Sequence, residues 1–561
     1  MKLIIIGGSS AGANAAARAR LLDKDCEIHL IEETDSITFA NCGLPYFISS
    51  QVKTSNQLIS YTPEEFQKRY NVTVHINTQV IFILPAEKQI EVKNLQSTFR
   101  ISYDKLILCN GCKPIQPAYD YLPQDKTFTL KTIHDMIRLK TFIREKSPRS
   151  VLVVGGGFIG MEMVDAFYKL GLDIYIVERS SQLLPKLDSE VSFLLWRHLL
   201  RLGVNIYKYS VVSGYSNETK KIFISLEEDE KSAGYVIPDC IVLTIGIKPE
   251  IEIAKLARLK IGTTGGIEVN EFLRTSDNSI YAAGDIVELT QIIAGKKVRF
   301  PLASTATKQG RIAASNALGE NRKYEGVTGS YVIEICDETI GSAGISEKYA
   351  NECGIDFDFV LISPYSQDSY YPHVEKLFLK LLFEKGTGRI LGLQCFGKTG
   401  VDKIIDVIST AIKGNLKIND LSELDLAYAP MYSMPFHAIN LAGRVAEIQM
   451  QNPNNLISPY WFWSELMQTE RIDQQDFLVI DLTTDTEAVQ TRDLPNTIHI
   501  PFFEIRTRLK EIPKTKSIYL LSEDGKDGYL TWKFLKQSGF VQVFVLKGGL
   551  DWLNCFSIAS N

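Results

Sequence analysis

The chain opens on an apolar run, Lys2-Leu3-Ile4-Ile5-Ile6, passes a glycine turn into an alanine-rich stretch, and returns as the apolar run Ile28-His29-Leu30-Ile31. Short continuous apolar runs joined through a helical segment predict buried parallel strands, a βαβ unit. Residues 151–178 repeat that plan. Between the two units lie a helix-like stretch from Pro63 to Arg69 and a strand-rich stretch over about 72–110. From about 239 the chain returns to buried strands. From about 325 to 450 alternating strands are followed by helices, a switch that predicts a separate α+β domain. Gln451-Asn452-Pro453-Asn454-Asn455 is polar, carries proline and lacks apolar periodicity, so residues 451–461 read as a linker. A small α/β unit fills 462–561.

At 561 residues the chain exceeds one hydrophobic core. A hydrophobic fraction of 45%, a charged fraction of 23% and a net charge of −5 lack the basic excess that nucleic acid demands, so no nucleic-acid partner is expected. Neither a signal peptide nor a membrane span of about 18 apolar residues is apparent, and a cytoplasmic protein without a membrane partner is expected. Nine cysteines over this length do not form a disulfide framework, and a reducing compartment suits them. No metal site is expected.

Val151-Leu152-Val153-Val154 runs into Gly155-Gly156-Gly157-Phe158-Ile159-Gly160, a GxGxxG between strand and helix. The turn is tight and pyrophosphate must approach backbone at the helix start, hence Gly155, Gly157 and Gly160. The next strand ends on Glu178, placed to accept hydrogen bonds from a ribose and to repel a 2′-phosphate, which favours NADH; Arg179 beside it softens that choice. The first unit reads Gly7-Gly8-Ser9-Ser10-Ala11-Gly12, with serine at the second motif glycine, and Glu32 ends its following strand. Two nucleotide sites in one chain point to a relay between FAD and a nicotinamide.

These motifs, with Thr275, Tyr281-Ala282-Ala283-Gly284-Asp285 and Leu243-Thr244-Ile245-Gly246-Ile247-Lys248-Pro249, resemble the flavoprotein disulfide reductases, and among them the coenzyme A-disulfide reductase group, over about residues 1–450. The resemblance implies an α/β chain with two Rossmann-like dinucleotide-binding domains: 1–112 with 245–320 for FAD, and 113–244 for NADH. A dimerisation domain of α+β class follows at 321–450. It also implies that Gly7, Gly12, Glu32 and Asp285 hold FAD and that Phe158 is a lid where the nicotinamide docks.

Thr38-Phe39-Ala40-Asn41-Cys42-Gly43-Leu44-Pro45-Tyr46 is the segment that resembles the redox site. Glutathione-reductase-like relatives carry a second cysteine where this chain has Phe47. A lone thiolate exchanges with an external thiol through a mixed disulfide or becomes a sulfenic acid. The resemblance favours the first route with coenzyme A, and implies Asn41, Arg18 and Arg20 as substrate-binding residues; Leu21 stands where the group often has arginine. Peroxide- and oxygen-reducing cousins carry histidine where this chain has Ser10, so the acid–base group they use is missing. Tyr370-Tyr371-Pro372 and Tyr428-Ala429-Pro430 resemble segments by which one subunit completes the other's site, which implies a homodimer with Tyr370 and Tyr428 facing the reactive sulfur. Cys109 and Cys112 have dithiol spacing but fall on the small-residue FAD turn, and His373 and His437 match no site position.

Val479-Ile480-Asp481, Ile498-His499-Ile500-Pro501 and Leu546-Lys547-Gly548-Gly549-Leu550-Asp551-Trp552 resemble a rhodanese-like domain over 462–561. Rhodaneses carry sulfur on a loop cysteine. Here the loop is Ser522-Glu523-Asp524-Gly525-Lys526-Asp527-Gly528-Tyr529, with Ser522 for the cysteine and Asp527 for a usual arginine, so a docking or stabilising role is expected; Cys555 lies outside the loop. The main expectation is therefore NADH-dependent, FAD-mediated reduction of coenzyme A disulfide or a related coenzyme A mixed disulfide, with a small-molecule disulfide or persulfide as the partner. A per- or polysulfide reductase, an NADH oxidase and a redox-sensing scaffold remain as alternatives.

Overall fold

Each glycine turn of the sequence ends a strand at the middle of a five-stranded parallel sheet. The computed structural model describes residues 1–115, 119, 121–228, 231–453, 455–462, 477–484 and 494–554. The chain divides into two compact units, Met1–Ser181 with Gly203–Val327, and Gln182–Leu202 with Thr328–Asn561.

In the first unit, Lys2–Ile6 pairs with Glu27–Ile31 on one side and Lys105–Leu108 on the other, and Thr73–His75 and Ile280–Ala282 complete the sheet. The second sheet copies it, with Ser150–Val154 central, Asp173–Val177 and Asn205–Tyr207 on one side, and Cys240–Leu243 and Thr127–Phe128 on the other. The central strands are buried on both faces, as their unbroken Ile, Val and Leu runs require. Ile280–Ala282 joins the first sheet from beyond the last strand of the second, so the second nucleotide fold is an insertion in the first. Each sheet also carries an antiparallel three-stranded meander, Gln79–Leu84 to Thr98–Ser102 in one and Ser210–Tyr215 to Ser232–Val236 in the other. Helix Ala303–Ala317 lies backbone to backbone on helix Ser10–Leu22: a Cβ at Gly310 would sit 2.0 Å from the Ala11 carbonyl oxygen.

The second unit holds a five-stranded antiparallel sheet in the order Tyr331–Ile335, Glu338–Gly344, Ile390–Gly397, Phe378–Glu384, Phe357–Ile362, with helices Val401–Lys413 and Ala438–Gln451 after it. A parallel sheet follows, in the order Leu456–Ile457, Val543–Leu546, Ser517–Leu521, Phe477–Asp481, Thr497–His499. The expected α/β class and strand-then-helix switch are therefore both present. Two elements stand at the borders between the expected domains. Leu456–Ile457, inside the stretch read as linker, is an edge strand paired with Val545 and Leu546, a two-residue element too short to show periodicity. Helix Ser189–Arg201, inside the range assigned to the NADH domain, packs with the second unit: His198 Nε2 meets the Cys336 carbonyl at 2.8 Å and Glu190 accepts from buried Lys380 at 2.6 Å. Among the described residues no helix is long and apolar enough to cross a membrane.

Candidate active site

The two glycine turns are built alike. Gly7 and Gly155 have φ of +98° and +107°, a region where an L side chain is strained. A Cβ on Gly12 would lie 1.8 Å from the Gly7 carbonyl oxygen, and one on Gly160 would lie 2.0 Å from that of Gly155. Only hydrogen at these positions lets the following helix close on its own turn. A Cβ on Gly157 would meet nothing within 4 Å, which explains why serine is accepted at the matching Ser9. Neither Ser9 nor Gly157 places a side-chain cap on its helix, Ser10–Leu22 or Phe158–Lys169, and an uncapped helix start suits a pyrophosphate.

The acidic residue after each second strand straps its turn. Glu32 accepts from the Gly8 N–H at 2.8 Å and the Thr34 N–H at 2.9 Å. Glu178 accepts from the Gly156 N–H at 2.6 Å and the Ser180 N–H at 2.7 Å, with a further short bond from the Ser180 hydroxyl. Both carboxylates are thereby fixed at the sheet edge where a ribose would lie. The paired turns, with Asp285 below, fit a flavin dinucleotide in the first domain and a nicotinamide dinucleotide in the second.

Cys42 occupies a 3-10 turn, Asn41–Gly43, that leads into helix Leu44–Ile48; the residue as a whole is exposed, while its sulfur is partly buried. The turn is tied to the first glycine loop through Thr38, whose N–H donates to the Gly8 carbonyl at 2.9 Å. Thr38 has φ of +53°, an outlier for a β-branched residue. Its hydroxyl holds it there, donating to the Tyr61 carbonyl at 2.7 Å and accepting from the Tyr61 N–H at 3.0 Å. Such over-determined strain marks a segment whose position matters. Asn41, the residue before Cys42, has its Oδ1 buried without a hydrogen-bond partner, an acceptor that the protein leaves unsatisfied. Cys42 is free, as are the seven other described cysteines, and Phe47 leaves it without a local second thiol.

The Cys42 thiol is pushed up first by burial of its sulfur, then by the charges of Glu162 and Asp285, with Lys131 pulling the other way. Glu162 is itself pushed up to about 7, by burial and then by Asp165. Sequence reasoning missed Glu162 and Lys131. A signal for Glu162 existed: it follows Phe158 by four residues, which puts both on one helix face. Asp285 is also raised by burial, with Lys131 opposing, and its carbonyl accepts from Cys112 Sγ at 3.4 Å. Cys109 and Cys112 are both buried, with burial driving the Cys112 thiol up to about 12, so the spacing there serves packing.

The arginines expected at coenzyme A phosphates both hold protein partners. Arg20 donates to five backbone carbonyls, those of Tyr70, Asn71, Asp23, Lys24 and Cys26, at 2.6–3.0 Å. A planar fork of donors suits converging carbonyls as well as it suits phosphate, and here it closes the end of its own helix. Arg18 donates to the Ser315 hydroxyl at 3.0 Å and to Glu320 at 3.3 Å.

In the second unit, Tyr428 donates its hydroxyl to the Asp368 carboxylate at 2.7 Å. That bond, with the Tyr370 hydroxyl nearby, pushes Tyr428 up to about 12 and keeps it a proton donor. Tyr370 is 72% exposed. His373 is exposed in the same loop, and His437 caps helix Ala438–Gln451, its Nδ1 accepting from the Ile439 N–H at 3.2 Å. In the loop of the last domain, Ser522 is buried and its hydroxyl accepts the Gly528 N–H at 3.1 Å. Burial and the neighbouring acids Asp524 and Glu523 push the Asp527 carboxyl up. Cys555 lies outside the described residues.

Comparison with known proteins agrees with this geometry. Residues 1–310 match the pyridine nucleotide-disulphide oxidoreductase family, residues 332–438 its dimerisation domain, and residues 464–554 the rhodanese-like domain. A solved structure described as reduced Bacillus anthracis CoADR-RHD is 33% identical, with a TM-score of 0.92 over 99% of this chain and 98% of that one. An NAD-dependent persulfide reductase from A. fulgidus is 32% identical, with a TM-score of 0.90 over 98% of this chain and 100% of that one. A coenzyme A disulfide reductase from Staphylococcus haemolyticus is 30% identical over 79% of this chain and 98% of its own length. A family match over more than half the chain, with both glycine turns, settles the assignment: the chain is a redox enzyme that belongs to the pyridine nucleotide-disulphide oxidoreductase family, joined to a rhodanese-like domain.

Proposed function

We propose that the chain is an NADH-dependent flavoprotein that reduces coenzyme A disulfide, or a related coenzyme A mixed disulfide, through Cys42. The observation that carries this is Cys42, exposed on a turn that strained Thr38 ties to the first glycine loop, with Phe47 in place of a second thiol. A sulfur so placed completes a disulfide exchange only with an external thiol. Gly7, Gly12, Glu32 and Asp285 would hold FAD, and Gly155, Gly157, Gly160 and Glu178 the NADH, with Phe158 over the nicotinamide position. Bound FAD supplies the two-electron relay between nicotinamide and sulfur.

The Cys42 thiolate attacks one sulfur of the substrate disulfide, forms a mixed disulfide, and releases the other half as a thiol that takes up one proton. Asn41 Oδ1 would accept from the substrate's pantetheine amide, and Arg18 and Arg20 would meet its phosphates, Arg18 by giving up its pair with Glu320. Two electrons and one further proton then free the second thiol and restore Cys42. The active form is a homodimer in which the partner subunit's Tyr370 and the partner subunit's Tyr428 assist the departing thiolate, which takes its proton from water. A phenol that stays protonated can donate a hydrogen bond to that sulfur. Such chemistry belongs in a reducing compartment, the cytoplasm, in keeping with eight free cysteines among the described residues.

A persulfide serves as the substrate in a second reading, favoured by the A. fulgidus relative, which aligns over 98% of this chain. The same thiolate would attack either sulfur bond, and substrate competition separates them. Intact mass of the purified protein before and after mild thiol reduction should show loss of one coenzyme A. Cys42→Ser should lose both that adduct and disulfide turnover while keeping reduction of the flavin by NADH. Turnover that persists in Cys42→Ser, or an oxygen adduct in place of coenzyme A, defeats the proposal.

A further inference from the structure

The loop that carries Tyr370 is a hairpin. Its strands are Phe357–Ile362 and Phe378–Glu384, and pairing continues through Leu377 N–H to the Pro364 carbonyl and Ser366 N–H to the Glu375 carbonyl, both at 2.8 Å. At the tip, the Asp368 carboxylate accepts the Tyr428 hydroxyl and the Gln367 side chain donates to the Met431 carbonyl at 2.6 Å. The tip therefore fixes both tyrosines together.

The base of this hairpin is gripped by the rhodanese-like domain, from both strands. On one strand, Ser363 donates to Asp551 at 2.5 Å, and Lys547 donates to the Asp358 carboxylate at 2.8 Å and the Phe359 carbonyl at 3.0 Å. On the other, the Lys376 ammonium is held by Asp551 at 2.8 Å and Glu523 at 2.5 Å, and Trp552 stands edge-on to Phe378 with ring centroids 5.4 Å apart. Lys376, Asp551 and Lys547 are mostly buried, so these are not freely screened surface pairs. Glu523 is the residue next to Ser522 in the loop that has lost its sulfur-carrying cysteine. That loop is itself tied to the gripping turn: the Leu550 and Asp551 N–H groups donate to the Ser522 and Glu523 carbonyls at 2.9 and 3.0 Å.

We propose that the rhodanese-like domain is a brace: Glu523, Asp551 and Lys547 clamp the base of hairpin 357–384 and so set where its tip presents Tyr370 and Tyr428. Lys376 is a positioning residue, acting on the reaction through the tyrosines. The proposal rests on the reading above that these tyrosines serve the Cys42 sulfur. Lys376→Met tests it in the full-length holoenzyme, with Glu523→Gln as a milder variant at a half-exposed site and Lys376→Arg as the conservative control. Amide deuterium exchange over 364–377, measured without substrate, should quicken at least tenfold in Lys376→Met, less in Glu523→Gln, and return toward the parent in Lys376→Arg. In rapid-mixing experiments the sulfur step should slow at least tenfold, while flavin reduction by NADH keeps its rate. Unchanged exchange in the hairpin overturns the brace. Faster exchange with an unaltered sulfur step overturns its role in positioning, as does an equal slowing of both half-reactions. Tyr370→Phe and Tyr428→Phe enzymes with normal sulfur steps would instead overturn the underlying reading of the tyrosines, whatever the exchange shows.

Discussion

Replacing Lys380 with methionine tests the electrostatic account of the second unit. The Lys380 side chain is fully buried, with its ammonium 2.6 Å from Glu190, 2.5 Å from Glu347 and 3.6 Å from Asp188. Phe359 lies under it at 4.4 Å. Burial pushes Lys380 down, but the three carboxylates outweigh it and its ionisation is raised overall. A raised lysine contributes stability that is complete below its unfolded value and fades only as pH rises through its folded value, so between pH 5 and 8 the contribution is constant. Removing the cation leaves acids in a dry site. Breaking one buried pair costs about 3–5 kcal/mol, and that range is the expected loss at pH 8. For a unit of this size it corresponds to a fall of roughly 10 °C in the melting temperature. The assay is thermal unfolding followed by the fluorescence of Trp196, Trp532 and Trp552, which lie in the second unit. Glu347 and Asp188 are already pushed up by burial, and without Lys380 they rise further. The folded variant then binds protons that its unfolded chain does not, so its deficit should shrink as pH falls from 8 to 5. A loss under about 1 kcal/mol, or a deficit independent of pH, would refute the reasoning.

Two further substitutions are informative. Gly160→Ala should abolish NADH binding, measured by calorimetry, while the protein still purifies with its flavin, because the new Cβ meets the Gly155 carbonyl at 2.0 Å; Gly157→Ala, with open space around its Cβ, should remain folded with native thermal stability. His437 is held neutral, at about 4, by burial and then by Lys403. Its folded value lies below the unfolded 6.5, so the stability it contributes is present above pH 6.5 and is lost as pH falls through 4, by up to about 3 kcal/mol. His437→Asn keeps a capping side chain and should remove that acid-dependent loss in denaturant titrations at pH 7 and 4.5.

What was legible in the sequence is what short-range backbone geometry dictates. Gly7, Gly12, Gly155 and Gly160 are each required by a contact within the same turn, or between the turn and the adjoining strand, and the acids Glu32 and Glu178 close those turns from the next strand. Cys42 was legible because its motif is contiguous. The partners of Arg20 converge from 23–26 and 70–71, a meeting made by the fold and invisible along the helix. Glu162 escaped notice because its ionisation comes from burial, which a sequence does not print. Helix Ser189–Arg201 was placed with its chain neighbours, but its Glu190 belongs to the Lys380 cluster.

The altered loop of the last domain gains a physical logic from the same geometry. A sulfur-carrying loop needs a thiolate and converging N–H groups kept free for an anionic donor. Here Ser522 takes the Gly528 N–H for itself, and Asp524 accepts the Lys526 N–H at 2.9 Å. Glu523, Asp524 and Asp527 surround the loop with negative charge. Those features oppose a thiosulfate, yet an acidic surface is what Lys376 requires as a counter-charge. Ser522→Cys alone would release the Gly528 N–H but leave the Lys526 N–H on Asp524 and the acidic field in place. Recovery of sulfur transfer therefore demands changes at Glu523 and Asp527 as well, and the first of these loosens the clamp on Lys376. The loop's charges thus serve either an anionic donor or the tyrosine hairpin, and in this chain their geometry is that of the hairpin.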